Sequence, residues 1–214
     1  MNKKKPLIMI GGGGHASVLA DILMGQGREI IAVISPDSIS ERPIFDGIAH
    51  FQSDDAIEKF SSSDVKLVNG VGFLPRSPLR KKLYQRYTAQ GYEFETIIAS
   101  DASISSYASI ASGAQVLTRG IVQTGATIGE NTIINTGALV EHDCYIAAHN
   151  HIAPKAVLCG QVTTGEGVFI GANATILQNI SIKNDAVVAA GATLTMCLDK
   201  NTTHYPIRST EKYT

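Results

Sequence analysis

Glu141-His142-Asp143-Cys144 is the stretch of this chain whose residue types most directly suggest proton transfer. An imidazole can take a proton near neutral pH, and an adjacent acid can orient the ring and favour its charged form. Taken alone, a histidine beside acids is more often a solvated surface group. Cys144 lies two residues from His142, but its place in the repeat described below is a small inward one. That favours a buried packing thiol over a nucleophile. His149 and His151 form an H-x-H pair that would suit a metal, yet no third ligand follows at a suitable spacing, so no metal is expected.

A different chemistry is suggested near the start, where Gly11-Gly12-Gly13-Gly14-His15-Ala16 follows the apolar run Pro6–Ile10. Gly11, Gly13 and Ala16 fit a G-x-G-x-x-A loop between a strand and a helix, where backbone N–H groups and the helix N-terminus can hold a pyrophosphate. Asp37 stands about 20 residues further on, within reach of a ribose or base. Asn69-Gly70-Val71-Gly72 ends a later strand at the same sheet edge and either lines that site or is an ordinary turn. A module of roughly three strands lacks the second half of a full dinucleotide site, so a nucleotide-sugar fits better than NAD. The plain alternative is a tight turn with no ligand.

The elements that must position these groups follow two grammars. Before residue 95 the pattern is βαβ. It has strands at residues 6–10, 30–34 and 66–68 and a helix over about 16–24. A short helix spans 53–60, capped by Ser53 or Asp54, and a further helix spans 77–90 with Leu79, Leu83 and Tyr87 on one face. From Ile98 to Leu194 an aliphatic residue recurs at every sixth position, with Thr164 as the one lapse. Four residues later the side chain is usually small, as at Ala114, Ala126, Ala138, Ala156 and Ala174. Neither 3.6 nor 2 residues per repeat explains a period of six; a triangular solenoid closing one coil per three hexads does. The expected organisation is an α/β Rossmann-like domain over residues 1–95, a left-handed parallel β-helix of hexapeptide repeats over 96–198, and a tail over 199–214. The tail departs from the hexads and is expected to fold back or swap onto a neighbour.

A formal charge of −1 and a pI near 6.6 give no electrostatic case for nucleic acid. No stretch reaches the roughly 20 apolar residues of a membrane span, and the lysine-rich start breaks into glycines too early for a signal peptide. Cys144, Cys159 and Cys197 are odd in number and lack metal spacing. They are expected to be reduced core or near-core thiols of a cytoplasmic protein.

The hexad array resembles the left-handed β-helix acyltransferases, most of which use acetyl-CoA. GGGGHA, the small α/β module and V-E-H-D-C together are similar to the sugar O- and N-acetyltransferases. That group includes the sialic acid O-acetyltransferases and, as the nearest resemblance, the UDP-4-amino-sugar N-acetyltransferases of the bacillosamine pathway. The resemblance implies an acetyl-CoA-dependent enzyme, a homotrimer with sites between subunits, and direct acetyl transfer to an amine on a UDP-linked deoxy-sugar. His142 then matches the general base and Asp143 the acid after it, where the nearest relatives have Glu. Gly160 matches a glycine whose N–H meets the thioester oxygen. His151, Gly160, Ala172, Ala190 and Gly191 match positions along acetyl-CoA; Gly11, Gly13, Gly14, His15, Asp37, Asn69 and Gly70 are expected on the sugar-nucleotide side. The family's C-terminal G-x-P-A-[KR] is replaced by His204-Tyr205-Pro206-Ile207-Arg208. Sugar O-acetylation, a non-catalytic sugar-nucleotide-binding scaffold, and a metal-dependent β-helix with carbonic anhydrase activity are the alternatives.

Overall fold

The computed structural model describes residues 4–206; the first three residues, and Ile207 and Arg208 with the rest of the C-terminus, lie outside the described residues. The described residues up to Asn69 build a four-stranded parallel sheet, one strand more than the sequence suggests. Strands β1 (Leu7–Ile10), β2 (Ile30–Ile34), β3 (Ala49–Phe51) and β4 (Lys66–Asn69) lie in the order β3-β2-β1-β4. The missed strand is short and half-exposed at the sheet edge, so it carries no continuous apolar run to announce it. Helix α1 (Gly14–Gly25) begins at the glycine loop itself, and α2 (Leu79–Ala89) follows β4. Residues 54–59 form the short helix expected, as a 3₁₀ turn, with the Ser53 hydroxyl accepting from Asp55 N–H at 3.3 Å. On α2 the buried stripe is Arg80, Tyr84 and Tyr87 rather than Leu79, Leu83 and Tyr87; Leu79 is exposed.

From Ile97 onward, two-residue strands stack into three parallel sheets, the faces of the left-handed β-helix. The first face runs from Ile97–Ile98 to Thr203–His204, the second from Ser103–Ile104 to Thr193–Leu194, and the third from Ser109–Ile110 to Ser181–Ile182. Successive coils pair 18 residues apart, as Thr127 with Tyr145 and His151 with Phe169. From Ile104 onward the period-six aliphatics and the small residues four positions later form one core, whereas Ile98 at its open end is exposed. From Ile110 to Val188, the third residue after each period-six position takes the left-handed conformation, as at Asn131, Asp143, His149, Gln161 and Asn173. Asn, Asp and Gly recur there because they tolerate a positive φ at least cost.

The lapse at Thr164 is filled by hydrogen bonding. Its hydroxyl accepts from Asn150 Nδ2 at 2.8 Å and from Ala147 N–H at 3.2 Å, and Asn150 also satisfies Gly165 O and Val168 N–H. The hexad pattern fades after Leu194 because the last coil is two residues shorter: Ile182 bridges Leu198, and Val187 pairs with Thr203. The chain through His204 therefore extends the first face rather than leaving it. Cys144 is buried and Cys159 half-buried, whereas Cys197 is exposed, contrary to the expectation of a core or near-core position.

The α/β module sits on the first face. Ile97, Gln115, Ile133 and His151 point outward from successive coils of that face, yet all four are buried. Leu7, Met9, Leu19, Leu23 and Val68 pack with Ile97, Leu117 and Ile133 in a single cluster. The corner between the second and third faces, where His142 lies, points the other way.

Candidate active site

Two groups of polar residues emerge, one open and one enclosed. At the open corner, His142 and Asp143 are adjacent residues in a tight turn, with Asp143 at φ 59°. That turn folds the carboxylate back so that its Oδ2 lies 2.8 Å from His142 Nδ1. The shorter acid therefore reaches the ring without needing the length of Glu. Gly125, one coil below, leaves the space that the Asp143 carboxylate occupies. With Nδ1 donating to Asp143, Nε2 of His142 is the basic nitrogen, and the side chain is 53% exposed.

Gly160 lies one coil above. A Cβ there would stand 2.6 Å from both Cε1 and Nε2 of His142, so only glycine admits the ring. The turn gives Gly160 N–H no acceptor among the described residues, while its neighbours are paired: Cys159 N–H to Ile176 O and Gln161 N–H to His142 O. A free N–H, a free imidazole nitrogen and an oriented carboxylate thus converge within one corner. Cys144 stands behind this corner with its thiol on Cys159 O at 3.2 Å; burial pushes it up to about 11, which leaves it a packing thiol at neutral pH.

Ala172, Ala190 and Gly191 occupy a different corner, between the first and second faces, with Ala172 and Ala190 one coil apart. Gly171 lies too close to the Ala189–Ala190 backbone for any side chain, so this corner is a column of small residues. Such a column suits the close approach of a long, flexible arm such as pantetheine.

The enclosed group lies where the module meets the first face. Gly11 has φ 93° and its Cβ position abuts Val71, while a Cβ on Gly70 would strike Met9, Ala16 and Gly11 O, so these two glycines are needed by packing. Gly13 and Gly14 are exposed and nothing approaches them within 4 Å. No side chain caps α1, and its first paired N–H is Ser17 onto Gly13 O. The N–H groups of Gly14, His15 and Ala16 are therefore free at a positive helix end, an arrangement suited to an anion. Asp37 is exposed beyond the end of β2 and has no hydrogen-bond partner among the described residues.

His15 turns inward from this loop, its Nε2 2.8 Å from Gln115 Oε1, and Gln115 Nε2 donates to Asn69 O at 2.9 Å. Burial, then the Arg80 charge, lower His15 to about 4. His151 is 9% exposed and packs between Phe73 and Phe169, with ring centroids at 5.6 and 5.3 Å. Burial first, then His15 and Arg80, lower it to about 3. Asn135 Oδ1 accepts from Thr136 N–H at 2.7 Å, which fixes that amide so that its Nδ2 donates to His151 Nε2 at 3.0 Å. His151 is thus neutral with its proton on a buried Nδ1 that has no partner. It faces its own module rather than the His142 corner.

The sequence did not mark Arg80, Gln115 or Asn131 as site residues. Arg80 donates to Asn69 O at 2.9 Å and Val71 O at 2.6 Å, and Asn131 Oδ1 accepts from Asn69 Nδ2 at 3.0 Å. Their signal was positional: Arg80 shares a helical face with Tyr84 and Tyr87, and Gln115 lies in an otherwise mostly apolar column. Among the described residues no group of three or more His, Cys, Asp or Glu could hold a metal, and no helix is long and apolar enough to cross a membrane.

The stacked hexads, the open His142 corner and the glycine loop at the start of α1 together define a hexapeptide-repeat acyltransferase with an N-terminal α/β module. Residues 161–195 match the bacterial transferase hexapeptide (six repeats) model and residues 6–87 match the PglD N-terminal domain, a combination consistent with the bacillosamine-type acetyltransferases. Solved structures agree over nearly the whole chain. The acetyltransferase domain of PglB from Neisseria gonorrhoeae FA1090, in complex with acetyl coenzyme A, is 25% identical with a TM-score of 0.86, covering 95% of this chain and 97% of that one. PerB from Caulobacter crescentus, in complex with CoA and GDP-perosamine, is 26% identical with a TM-score of 0.84, covering 95% of each chain. A perosamine N-acetyltransferase from the same organism, with one histidine replaced by asparagine, is 27% identical with a TM-score of 0.85, covering 95% of this chain and 94% of that one.

Proposed function

We propose that this protein transfers the acetyl group of acetyl-CoA to the amine of a nucleotide-linked amino-deoxy-sugar, with a UDP-linked 4-amino sugar as substrate. The observation that carries the reading is the His142 corner: a ring held by Asp143, its Nε2 exposed, against a glycine with a free N–H. The relatives in complex with acetyl coenzyme A and with GDP-perosamine support the two substrate classes.

In the proposed reaction the sugar amine attacks the thioester carbonyl, forming the N–C bond. Gly160 N–H donates to the carbonyl oxygen as it gains charge, which is the kind of preorganised contact that lowers such barriers most. His142 Nε2 takes the proton from the attacking nitrogen, and Asp143 stabilises the resulting imidazolium. The C–S bond breaks, and His142 returns the proton to the departing thiolate. No acyl-enzyme intermediate is involved. Ala172, Ala190 and Gly191 are assigned to the acetyl-CoA groove, whereas His151, expected there, lies enclosed in the seam between Phe73 and Phe169. Gly11, Gly13, Gly14, His15, Asp37, Asn69 and Gly70 are assigned to the sugar-nucleotide crevice.

The crevice lies against the first face and His142 at the opposite corner, so one chain does not bring its own two halves together. A neighbouring copy that presents its His142 corner to the crevice completes the site, and a homotrimer closes three such sites symmetrically. The test is thiol release from acetyl-CoA with UDP-4-amino, GDP-4-amino and hydroxyl-only UDP sugars. Release is expected with the UDP amine and not with the hydroxyl acceptor. Turnover confined to the GDP amine would correct the base, and turnover confined to hydroxyl acceptors would overturn N-acetylation.

A further inference from the structure

Arg80 lies at the start of α2, buried to 4% exposure, and no carboxylate among the described residues lies within ion-pair distance of it. Its guanidinium instead meets three backbone carbonyls: Asn69 O at 2.9 Å, Val71 O at 2.6 Å and Asn131 O at 3.4 Å, with Nε unpartnered. Burial pushes the group down to about 9, so it stays a cation at neutral pH with nothing to neutralise it. Burying an unpaired charge costs several kcal/mol, and an apolar side chain would fill such a space more cheaply. Packing alone does not account for arginine here.

The peptide it holds does. In a trans peptide the C=O and the following N–H point in opposite directions. Drawing Val71 O down onto Arg80 therefore turns Gly72 N–H away from the buried guanidinium. Gly72 is exposed, its Cβ position lies 3.5 Å from His15 Cβ, and its N–H has no acceptor among the described residues. The residue itself thus lies against His15 at the start of α1, where the N–H groups of Gly14, His15 and Ala16 are free. The Asn69 carbonyl, shared between Arg80 and Gln115, ties the same loop to His15 through Gln115.

We propose that Arg80 is a positioning residue for the diphosphate of the nucleotide-sugar: it holds the Val71–Gly72 peptide with the N–H turned to the crevice and sets one unneutralised positive charge beneath it. This rests on the substrate reading given above. Arg80 touches no substrate; it acts through the loop and through its field. The field reaches His15, His149 and His151, and disfavours the protonated form of each.

Calorimetric binding to the intact protein tests it, with UDP, GDP, uridine, guanosine and acetyl-CoA as probes for wild type, Arg80→Met and Arg80→Lys. Arg80→Met is expected to lose at least about tenfold in affinity for the diphosphate that wild type binds, as for a lost charge-assisted contact. The free nucleoside and acetyl-CoA should stay within about twofold. Arg80→Lys, which keeps charge without the planar fork, should recover part of the loss. Unchanged diphosphate affinity in Arg80→Met overturns the proposal, and so does an equal loss for nucleoside and diphosphate, which would mark a purely structural residue. Should Arg80→Met not fold, the Gly72 amide resonance of wild type decides: it is expected to move on adding the diphosphate and not the nucleoside, and a stationary resonance overturns the assignment. Wild type that binds neither UDP nor GDP would remove the substrate reading itself, whereas binding by wild type matched by Arg80→Met would remove only the role of Arg80.

Discussion

The His142 corner and the His15–His151 seam place histidines in opposite circumstances. At the corner the ring is open to solvent and held by one carboxylate within the same turn. In the seam the rings are enclosed between the α/β module and the first face, and burial with the Arg80 charge holds them neutral. An imidazole that must gain and lose a proton needs the first setting; one that must present a fixed N–H or lone pair needs the second. The seam histidines are therefore hydrogen-bonding and packing groups in this reading, and the corner histidine is the one fitted to move a proton.

The largest expected effect separates the two. His142→Ala should lower kcat by about 10²–10⁴-fold, the usual worth of a positioned base. Its melting temperature should stay near wild type, because the side chain is exposed and packs little. Mixing this variant with a separately inactive Gly14→Glu variant, whose fault lies in the crevice, should restore part of the activity if corner and crevice come from different copies. Undiminished kcat in His142→Ala would reverse the assignment, and mixtures that stay inactive after subunit exchange would return both halves to one chain.

The seam responds through stability. An unfolded chain binds a proton at each of these histidines near pH 6.5, but the folded protein accepts one only at about 4 for His15 and about 3 for His151. Between those values the unfolded state holds more protons, so stability falls as the pH drops from 6.5 and rises again with pH. The loss is on the order of 3 kcal/mol for His15 and on the order of 5 kcal/mol for His151 once the pH is below the folded value. Thermal melts from pH 7.5 to 4.5 should show a steeper decline for wild type than for His15→Gln/His151→Phe, which has neither group to protonate. Parallel declines would mean that the acid sensitivity arises elsewhere.

The same contrast decides what the amino-acid sequence disclosed. The corner is written locally: the six-residue period fixes which residues face inward, so the turn containing His142, Asp143 and the buried Cys144 follows from counting. The seam is written across long separations. Arg80 meets Asn131, and His15 meets Gln115 a hundred residues away, contacts that depend on which face the module covers. Periodicity within either half carries no information about that choice. Strand β3 and the stripe on α2 were misread for a related reason, since a short edge strand and a helix with a buried arginine both depart from apolar patterning. Gly13 and Gly14 were legible as a loop, and only the open space above them distinguishes their role from that of Gly11 and Gly70, which packing demands.

The smallest expected effect tests how finely the corner is built. Gly160→Ala adds one methyl at a position 2.6 Å from the His142 ring, closer than a real Cβ contact allows, so the ring must move. Gly160 does not have a positive φ, so the backbone itself tolerates alanine and little stability should be lost. Displacing the imidazole by a fraction of an ångström disturbs its alignment with the attacking amine and narrows access to the free N–H. Misplacement of about 1 Å can cost 10²-fold, so a loss of about tenfold in kcat is expected, with KM for the nucleotide-sugar held within about twofold. If kcat holds while KM for acetyl-CoA rises instead, Gly160 serves to admit the thioester arm and not to seat the histidine. The close contact between ring and glycine would then be a consequence of coil stacking.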